Sequence, residues 1–196
     1  MSTCVEGVKK FNRIGVKVGR GKIRPYNRQY KTKINNVQSI DWTQQSTINR
    51  AGAIPYTVRD GEIYVCLGID KEYGNYTDFG GGVKKSDGTP VKSALRELRE
   101  ESLNIFGNIH PEDIGDHIAV WNKQILVIFI YMDVDMDEIV ATFNDRVSTI
   151  SDPEVSKLVW VTKDEFLDSI KQNGDINMYH RVGNLFKGSI NFVECL

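Results

Sequence analysis

The run from Ile125 to Tyr131 is seven apolar residues without interruption, and it constrains the fold more than any other segment. A strand that is apolar on both faces must lie inside a sheet covered on both sides. Seven residues also fall far short of a membrane span, and no other apolar stretch is longer. Ala51 to Val58 reads as a strand, Arg59-Asp60-Gly61 as a turn with the Asp-Gly hairpin signal, and Glu62 to Ile69 as a second strand. His117 to Trp121 and Gln124 to Val134 read as strands joined by a short Asn-Lys turn, and Val155 to Val161 as another. Between them, Thr89 has the character of a helix N-cap with Pro90 at the first helical position, which predicts a helix to about Leu103. Met136 to Arg146 reads as a short helix, and Thr162-Lys163-Asp164-Glu165 is a capping box that opens another. Strands interleaved with helices predict an α/β fold, an α/β/α sandwich around a mixed central sheet. The tail from Asp175 to Leu196 has apolar positions but no assignable element.

The formal net charge of −1 hides a strong segregation. Residues 1–50 carry eleven Lys and Arg against Glu6 and Asp41, a balance of +9. The remaining 146 residues carry fourteen basic and twenty-four acidic side chains, a balance of −10. We therefore divide the chain into a basic N-terminal arm, residues 1–45, and a packed domain, residues 46–196. The only strand-like patch of the arm lies around Gly15-Val16-Lys17-Val18, so partial order at best is expected there. A basic arm attracts polyanions, and Arg24, Tyr26, Arg28 and Tyr30 supply the interleaved cations and rings that binding RNA would use. A solvated tail, or one folded back on the acidic body, accounts for the same charges.

Cys4, Cys66 and Cys195 are odd in number and widely spaced, and His110, His117 and His180 have no ligand spacing. This argues against a disulfide framework or a zinc site, and for reduced thiols in a cytoplasmic setting. The first residues have no apolar run after their basic positions, so no secretory leader is expected. No membrane association and no obligate protein partner can be inferred.

The helix from Pro90 to Leu103 has three faces at its 3.6-residue period. Val91, Ala94, Leu95 and Leu98 form an apolar stripe, while Lys92, Arg96 and Arg99 share a second face. Glu97, Glu100 and Glu101 gather on the third. Carboxylates within one turn repel, and near a helix C-terminus the macrodipole disfavours them further. Hard divalent cations offset that cost, because Mg²⁺ and Mn²⁺ prefer carboxylate oxygens. A solvated face salt-bridged to Lys and Arg is the plain alternative. Ahead of the helix, Phe79-Gly80-Gly81-Gly82 removes side chains where backbone must approach a ligand closely. Carbonyls there can ligate a metal and N–H groups can meet phosphate oxygens. Tyr73, Tyr76 and Phe79 could stack on a base, although aromatics beside a sheet are more often core.

Taken together, these residues resemble the Nudix box: Gly, five residues, Glu, seven residues, then Arg-Glu-apolar-any-Glu-Glu-any-Gly-apolar. Gly82 stands as the leading glycine and Arg96-Glu97-Leu98-Arg99-Glu100-Glu101 follows at the family's distance. Three positions depart from it: Gly88 replaces the early Glu, Leu103 the late Gly and Asn104 the final apolar residue. The missing Glu puts the internal salt bridges of the box in question, and the missing Gly implies a helix that runs on or exits differently. Arg50-Ala51-Gly52-Ala53-Ile54 is similar to a first Nudix strand, and Lys157 to Val161 to a late one, so about 150 residues are covered.

The resemblance implies a hydrolase of diphosphate bonds that uses Mg²⁺ or Mn²⁺. Glu97 and Glu101 would be the principal metal ligands, assisted by Glu100 and the Gly81 carbonyl, with Arg96 orienting a neighbouring glutamate. The metal would neutralise charge in the transition state and activate water. The general base would be a box glutamate or a later carboxylate, Glu154 first and Asp152 second. Gly80, Gly81, Gly82 and Phe79 would line the substrate. The leading substrate expectation is the 5′ cap of mRNA, released as m7GDP, because the arm could track an RNA backbone. The alternatives are a diphosphoinositol polyphosphate, whose Nudix branch has a triple glycine like Gly80-Gly81-Gly82, and a dinucleoside polyphosphate. A third reading, of another class, is an inactive Nudix fold that only binds RNA.

Overall fold

The computed structural model describes residues 47–114, 117–171 and 176–187, together with the backbone of one strand at 15–19. Eight strands form one mixed sheet: β1 (Gly15–Gly19), β2 (Arg50–Arg59), β3 (Glu62–Asp70), β4 (Tyr76–Thr77), β5 (Phe79–Gly82), β6 (His117–Trp121), β7 (Ile125–Tyr131) and β8 (Val155–Thr162). Among the described residues four α-helices accompany it: α1 (Pro90–Glu101), α2 (Met136–Val147), α3 (Lys163–Ile170) and α4 (His180–Lys187). The α/β architecture expected from the pattern is present. The strand-like patch of the arm is β1, which pairs antiparallel with β6 from Gly15 opposite Trp121 to Gly19 opposite His117.

β2 organises the sheet. Along one edge it runs parallel to β7, from Arg50 beside Ile125 to Tyr56 beside Tyr131. Along the other it serves two antiparallel partners, β5 from Arg50 to Ala53 and β3 from Tyr56 to Arg59. Pro55, which has no N–H to give a ladder, falls at the changeover between them. The turn into β3 has positive φ at both Asp60 (54°) and Gly61 (82°), as a two-residue hairpin loop requires.

Alternation along the strands divides the core. Ala51, Ala53, Leu126, Ile128 and Ile130 pack on one side of the sheet with Val91, Ala94, Leu95 and Leu98 of α1 and with Ile139 and Phe143 of α2. Ile54, Val65, Leu67, Ile125, Val127 and Phe129 pack on the other with Phe166 of α3 and with Val182, Leu185 and Phe186 of α4. β7 is therefore apolar on both faces because both are covered. Rings of Phe129, Phe166 and Phe186 meet at centroid distances of 5.4–5.9 Å, which anchors the tail helix that had no sequence signal of its own.

The caps fall where the sequence places them. Thr89 Oγ1 accepts from Lys92 N with Pro90 at the first position, and Thr162 and Glu165 form a reciprocal capping box. Asp135 caps α2 by accepting from Asp137 N and Glu138 N, so that acidic turn is a helix start. One boundary is corrected. α1 ends at Glu101, and the chain leaves through Leu103 (φ 55°) and Asn104 (φ 57°), both left-handed. The helix does not run on; Leu103 adopts the conformation that favours the glycine it replaces. Among the described residues no helix is long and apolar enough to cross a membrane. Cys66 is buried, and burial pushes its thiol well above the usual range. Cys4 and Cys195 lie outside the described residues.

Candidate active site

The site is built where α1 crosses the glycine strand β5. β5 contributes a backbone with almost no side chains, so the helix approaches closely. At Gly81 an added Cβ would stand 2.6 Å from Glu97 Oε1, and at Gly80 it would stand 2.7 Å from the Cα of Gly52. Backbone contact thus requires glycine at 80, whereas at 81 a side chain would displace the Glu97 carboxylate. At Gly82 a Cβ would meet nothing within 4 Å, so the leading glycine has no steric reason in this structure.

The three glutamates do not act as one cluster. Glu97 is buried (8% exposed), with its carboxylate over Gly81. Glu101, one turn on, faces the same strand and its Oε2 accepts from Gly80 N at 2.8 Å. Glu100 points outward, with its side chain 47% exposed. Glu97 and Glu101 therefore form an inward pair along β5, and Glu100 stands outside it. Burial, then the negative charges of Asp78 and Glu97, push the Glu101 carboxyl up to about 9. The Gly80 N–H and Arg50 oppose that shift and are outweighed.

Arg96 ties the helix to its surroundings. Its Nη2 lies 2.7 Å from Glu97 Oε1 and donates to the Gly82 carbonyl at 3.0 Å. Nη1 donates to Glu100 Oε2 at 2.8 Å and Nε to Asp87 Oδ2 at 3.1 Å. Burial works against the guanidinium's charge, but Glu97, Asp87 and Glu100 outweigh it and hold the group firmly protonated. Asp87 answers the doubt raised by Gly88. One turn of 3-10 helix (Lys85–Asp87) delivers Asp87 to Arg96, and Gly88 then reverses the chain at φ 78°. Asp87 also accepts from Ser93 Oγ at 2.7 Å. Desolvation opposes its ionisation, yet the Ser93 and Arg96 bonds hold it below the usual carboxylate range. Arg96 thus has an acidic partner one residue before Gly88.

A second brace sits behind the strand. Arg50 opens β2 and forms a double hydrogen bond with fully buried Asp78, at 2.8 and 2.7 Å. Its Nη2 also donates to the Gly80 carbonyl at 3.0 Å, and its guanidinium lies 5.6 Å from the Tyr179 ring centroid. Desolvation lowers the Arg50 pKa and Asp78 more than restores it. Gly80 is thus held from both ends, its carbonyl by Arg50 and its N–H by Glu101. Neither Asp78 nor Asp87 stands out in sequence. The only hints are a charge directly before the glycine strand and a carboxylate one place from a motif position.

No protein-family model matches this chain, and no curated protein matches it either. Among solved structures it is similar to an Ap4A hydrolase of C. elegans in a binary complex, at 18% identity and a TM-score of 0.44, over 76% of this chain and 99% of that one. It is also similar to the NUDIX domain of Shewanella oneidensis NrtR complexed with ADP ribose, at 13% identity and TM-score 0.42, over 83% and 97%. A NUDIX-family hydrolase from Clostridium perfringens aligns at 12% identity and TM-score 0.37, over 75% and 97%. With TM-scores below 0.5, these likenesses decide nothing about the chemistry of this chain.

The other expected site residues fall apart from the glutamate pair. Phe79 is corrected: it is fully buried, in the core beneath α1, with its ring edge-on to Phe106 at 6.3 Å, so no base can stack on it. Tyr73 is 70% exposed. Glu154 is exposed just before β8; its backbone carbonyl accepts from Lys71 N. Asp152 pairs with Lys71 at 2.7 Å, and that hydrogen bond and charge lower its pKa. Among the described residues, no hydrogen bond or ion pair joins either carboxylate to the box. Arg24, Tyr26, Arg28 and Tyr30 lie outside the described residues.

Among the described residues no three His, Cys, Asp or Glu side chains converge as a closed cage. What the site offers is a pair of carboxylates beside a glycine backbone. At Glu101 burial, together with the negative charges of Asp78 and Glu97, favours protonation up to about pH 9. Two hard oxygen donors with open positions suit Mg²⁺ or Mn²⁺, which keep several waters, better than Zn²⁺ or Ca²⁺.

Proposed function

We propose that this chain is a Mg²⁺- or Mn²⁺-dependent hydrolase of a diphosphate bond, with Glu97 and Glu101 as the metal-holding pair. One observation carries the reading. Buried Glu97 and half-buried Glu101 stand one helical turn apart on glycine backbone, and at Glu101 burial with the charges of Asp78 and Glu97 outweighs the nearby Arg50. The Gly81 carbonyl is the further donor within the same strand–helix crossing, while Glu100 stands outside it, tied to Arg96. When bound there, a divalent cation supplies charge neutralisation on the diphosphate and a more acidic water.

The chain's own residues do the positioning. Arg96 fixes Glu97 and Glu100 and tethers the helix to Gly82, so the glutamates need little rearrangement to act. Arg50 and Asp78 fix Gly80, whose N–H orients Glu101. The general base that takes the proton of the attacking water would be Glu100 or Glu154, both exposed carboxylates. Their exposure supports that assignment, because a base must exchange its proton with solvent.

For the substrate we propose the 5′ cap of RNA, supported by the +9 balance of residues 1–50 set against an acidic body. Dinucleoside polyphosphates and diphosphoinositol polyphosphates present the same diphosphate without the RNA. The test is Mg²⁺-dependent hydrolysis of cap-labelled RNA and of both small polyphosphates, with Glu101→Gln alongside. Release of m7GDP by the wild-type chain alone supports decapping. Turnover of only a small polyphosphate keeps the chemistry and overturns the substrate. Salt-sensitive RNA binding with no turnover of any of the three overturns the enzymatic reading in favour of a binding protein.

A further inference from the structure

The face of α1 that carries Lys92, Arg96 and Arg99 forms one wall of a cleft of about 360 Å³. The turn at Lys85–Asp87 and the segment from Asn108 to Pro111 close it. Lys92, Arg96 and Arg99 line it against a single carboxylate, Asp87. Asp87 is already committed to Arg96 and Ser93. The exposed side chains of Lys92 and Arg99 enter no hydrogen bond or ion pair among the described residues. Seven residues apart on one helix, they stand about 10 Å apart along its axis with Arg96 between them. The opposite wall offers polar groups, Asn108 Nδ2 lying 3.1 Å from His110 Nε2.

A concave surface with two uncommitted cations and no free anion concentrates negative ions, because its walls focus the field. The carboxylate pair on the inner side of α1 has the opposite sign and repels phosphate unless a metal intervenes. Arg96 belongs to both, with Nε towards Asp87 and its terminal nitrogens towards Glu97 and Glu100. The two surfaces are therefore back to back across one guanidinium.

We propose that this cleft is a second anion site that takes a compact polyphosphate without a metal, held by Lys92 and Arg99. The volume suits a di- or triphosphate group, and charge-assisted hydrogen bonds from both cations supply the recognition. The same phosphate chemistry is available from a free polyphosphate or from an RNA backbone, and the two sources are separable.

The test is calorimetric binding of inorganic tripolyphosphate to the full chain in EDTA, which removes the metal-dependent mode. Wild type, Glu101→Gln and Lys92→Ala/Arg99→Ala are compared, with a 5′-hydroxyl RNA dodecamer in a parallel arm. Binding by wild type and Glu101→Gln, weakened about tenfold or more in the double variant, is the expected result. Loss for tripolyphosphate alone assigns the cleft to free polyphosphates, and loss for both ligands admits RNA phosphates as well. Equal affinity in wild type and double variant, no wild-type binding, or loss in Glu101→Gln overturns the proposal. Circular dichroism checks the fold of each variant. Lys92→Glu, a single exposed change, replaces the double variant should that one fail to fold. Because no turnover is measured, failure here leaves the hydrolase reading untouched.

Discussion

Arg50 and Asp78 form a doubly hydrogen-bonded ion pair sealed against the glycine strand, 28 residues apart in sequence. Arg50 continues to the Gly80 carbonyl, and Gly80 N–H to Glu101. A buried pair contributes little net stability over an apolar one, but removing one partner strands the other's charge. Asp78→Ala should therefore destabilise the domain by about 3–5 kcal/mol. Arg50→Met/Asp78→Leu should lose less than the two single changes add up to, as urea unfolding of the four proteins would measure.

The glycines of β5 predict a graded series. Gly81→Ala puts a methyl 2.6 Å from Glu97 Oε1, and that carboxylate must move, so metal affinity falls while the fold persists. Gly80→Ala collides with the backbone of Gly52 and destabilises the β2–β5 pairing itself. Gly82→Ala meets open space and should leave both stability and metal binding close to wild type. Thermal melts and metal titrations of the three variants separate these outcomes; an inactive, unfolded Gly82→Ala would contradict the packing described.

Glu101 gives a pH dependence with a definite sign. Its folded-state value of about 9 lies above the ordinary carboxyl value of 4.5, so the folded chain holds a proton that the unfolded chain releases. Its contribution to stability is then full below about pH 4.5 and is lost as pH rises through about 9. In EDTA the wild-type Tm should fall more steeply over that window than the Tm of Glu101→Gln, which cannot titrate. Added Mg²⁺ should flatten the wild-type curve. Parallel curves for the two proteins in EDTA would remove Glu101 from the account.

The exit of α1 predicts a stability difference at Asn104. Left-handed backbone at φ 57° suits Asn and Gly and opposes Ala by roughly 1 kcal/mol. Asn104→Ala should destabilise by about that amount and Asn104→Gly should not, as chemical denaturation would report.

Cys66 should be inert. Its thiol is fully buried and held well above the range in which thiolate forms. Peptide mapping after a brief pulse of alkylating reagent should find Cys66 unmodified in the folded chain and modified once the chain is unfolded.

What the sequence made legible was local. The Asp60-Gly61 turn, the Thr89 and Thr162 caps and the stripe Val91, Ala94, Leu95 and Leu98 all depend on residues within a turn or two of each other. Helical period groups all three glutamates on one face, and only the Nudix resemblance singles out Glu97 and Glu101 with the Gly81 carbonyl. The remainder needed three dimensions. Helix α4 is held by Phe129 and Phe166 from elsewhere in the chain, and Arg50 meets Asp78 only because β2 and β5 are adjacent. Glu100 was grouped with its neighbours because period alone ignores Arg96, which draws it outward. Asp87 was passed over because the pattern specifies a glutamate one position later, whereas a single 3-10 turn makes the shorter side chain reach. Phe79, beside the glycines, admits both stacking and core readings in sequence, and β-strand alternation turns its ring into the core.

The most direct measurement is Mn²⁺ binding to the metal-free chain, followed by electron paramagnetic resonance, in wild type, Glu97→Gln, Glu101→Gln and Glu154→Gln. The account predicts a Mn²⁺ site that is lost or severely weakened in the first two variants and retained in Glu154→Gln, with all four chains folded. Undiminished Mn²⁺ binding in Glu97→Gln and Glu101→Gln would contradict it, because the pair along β5 would then not be the metal site.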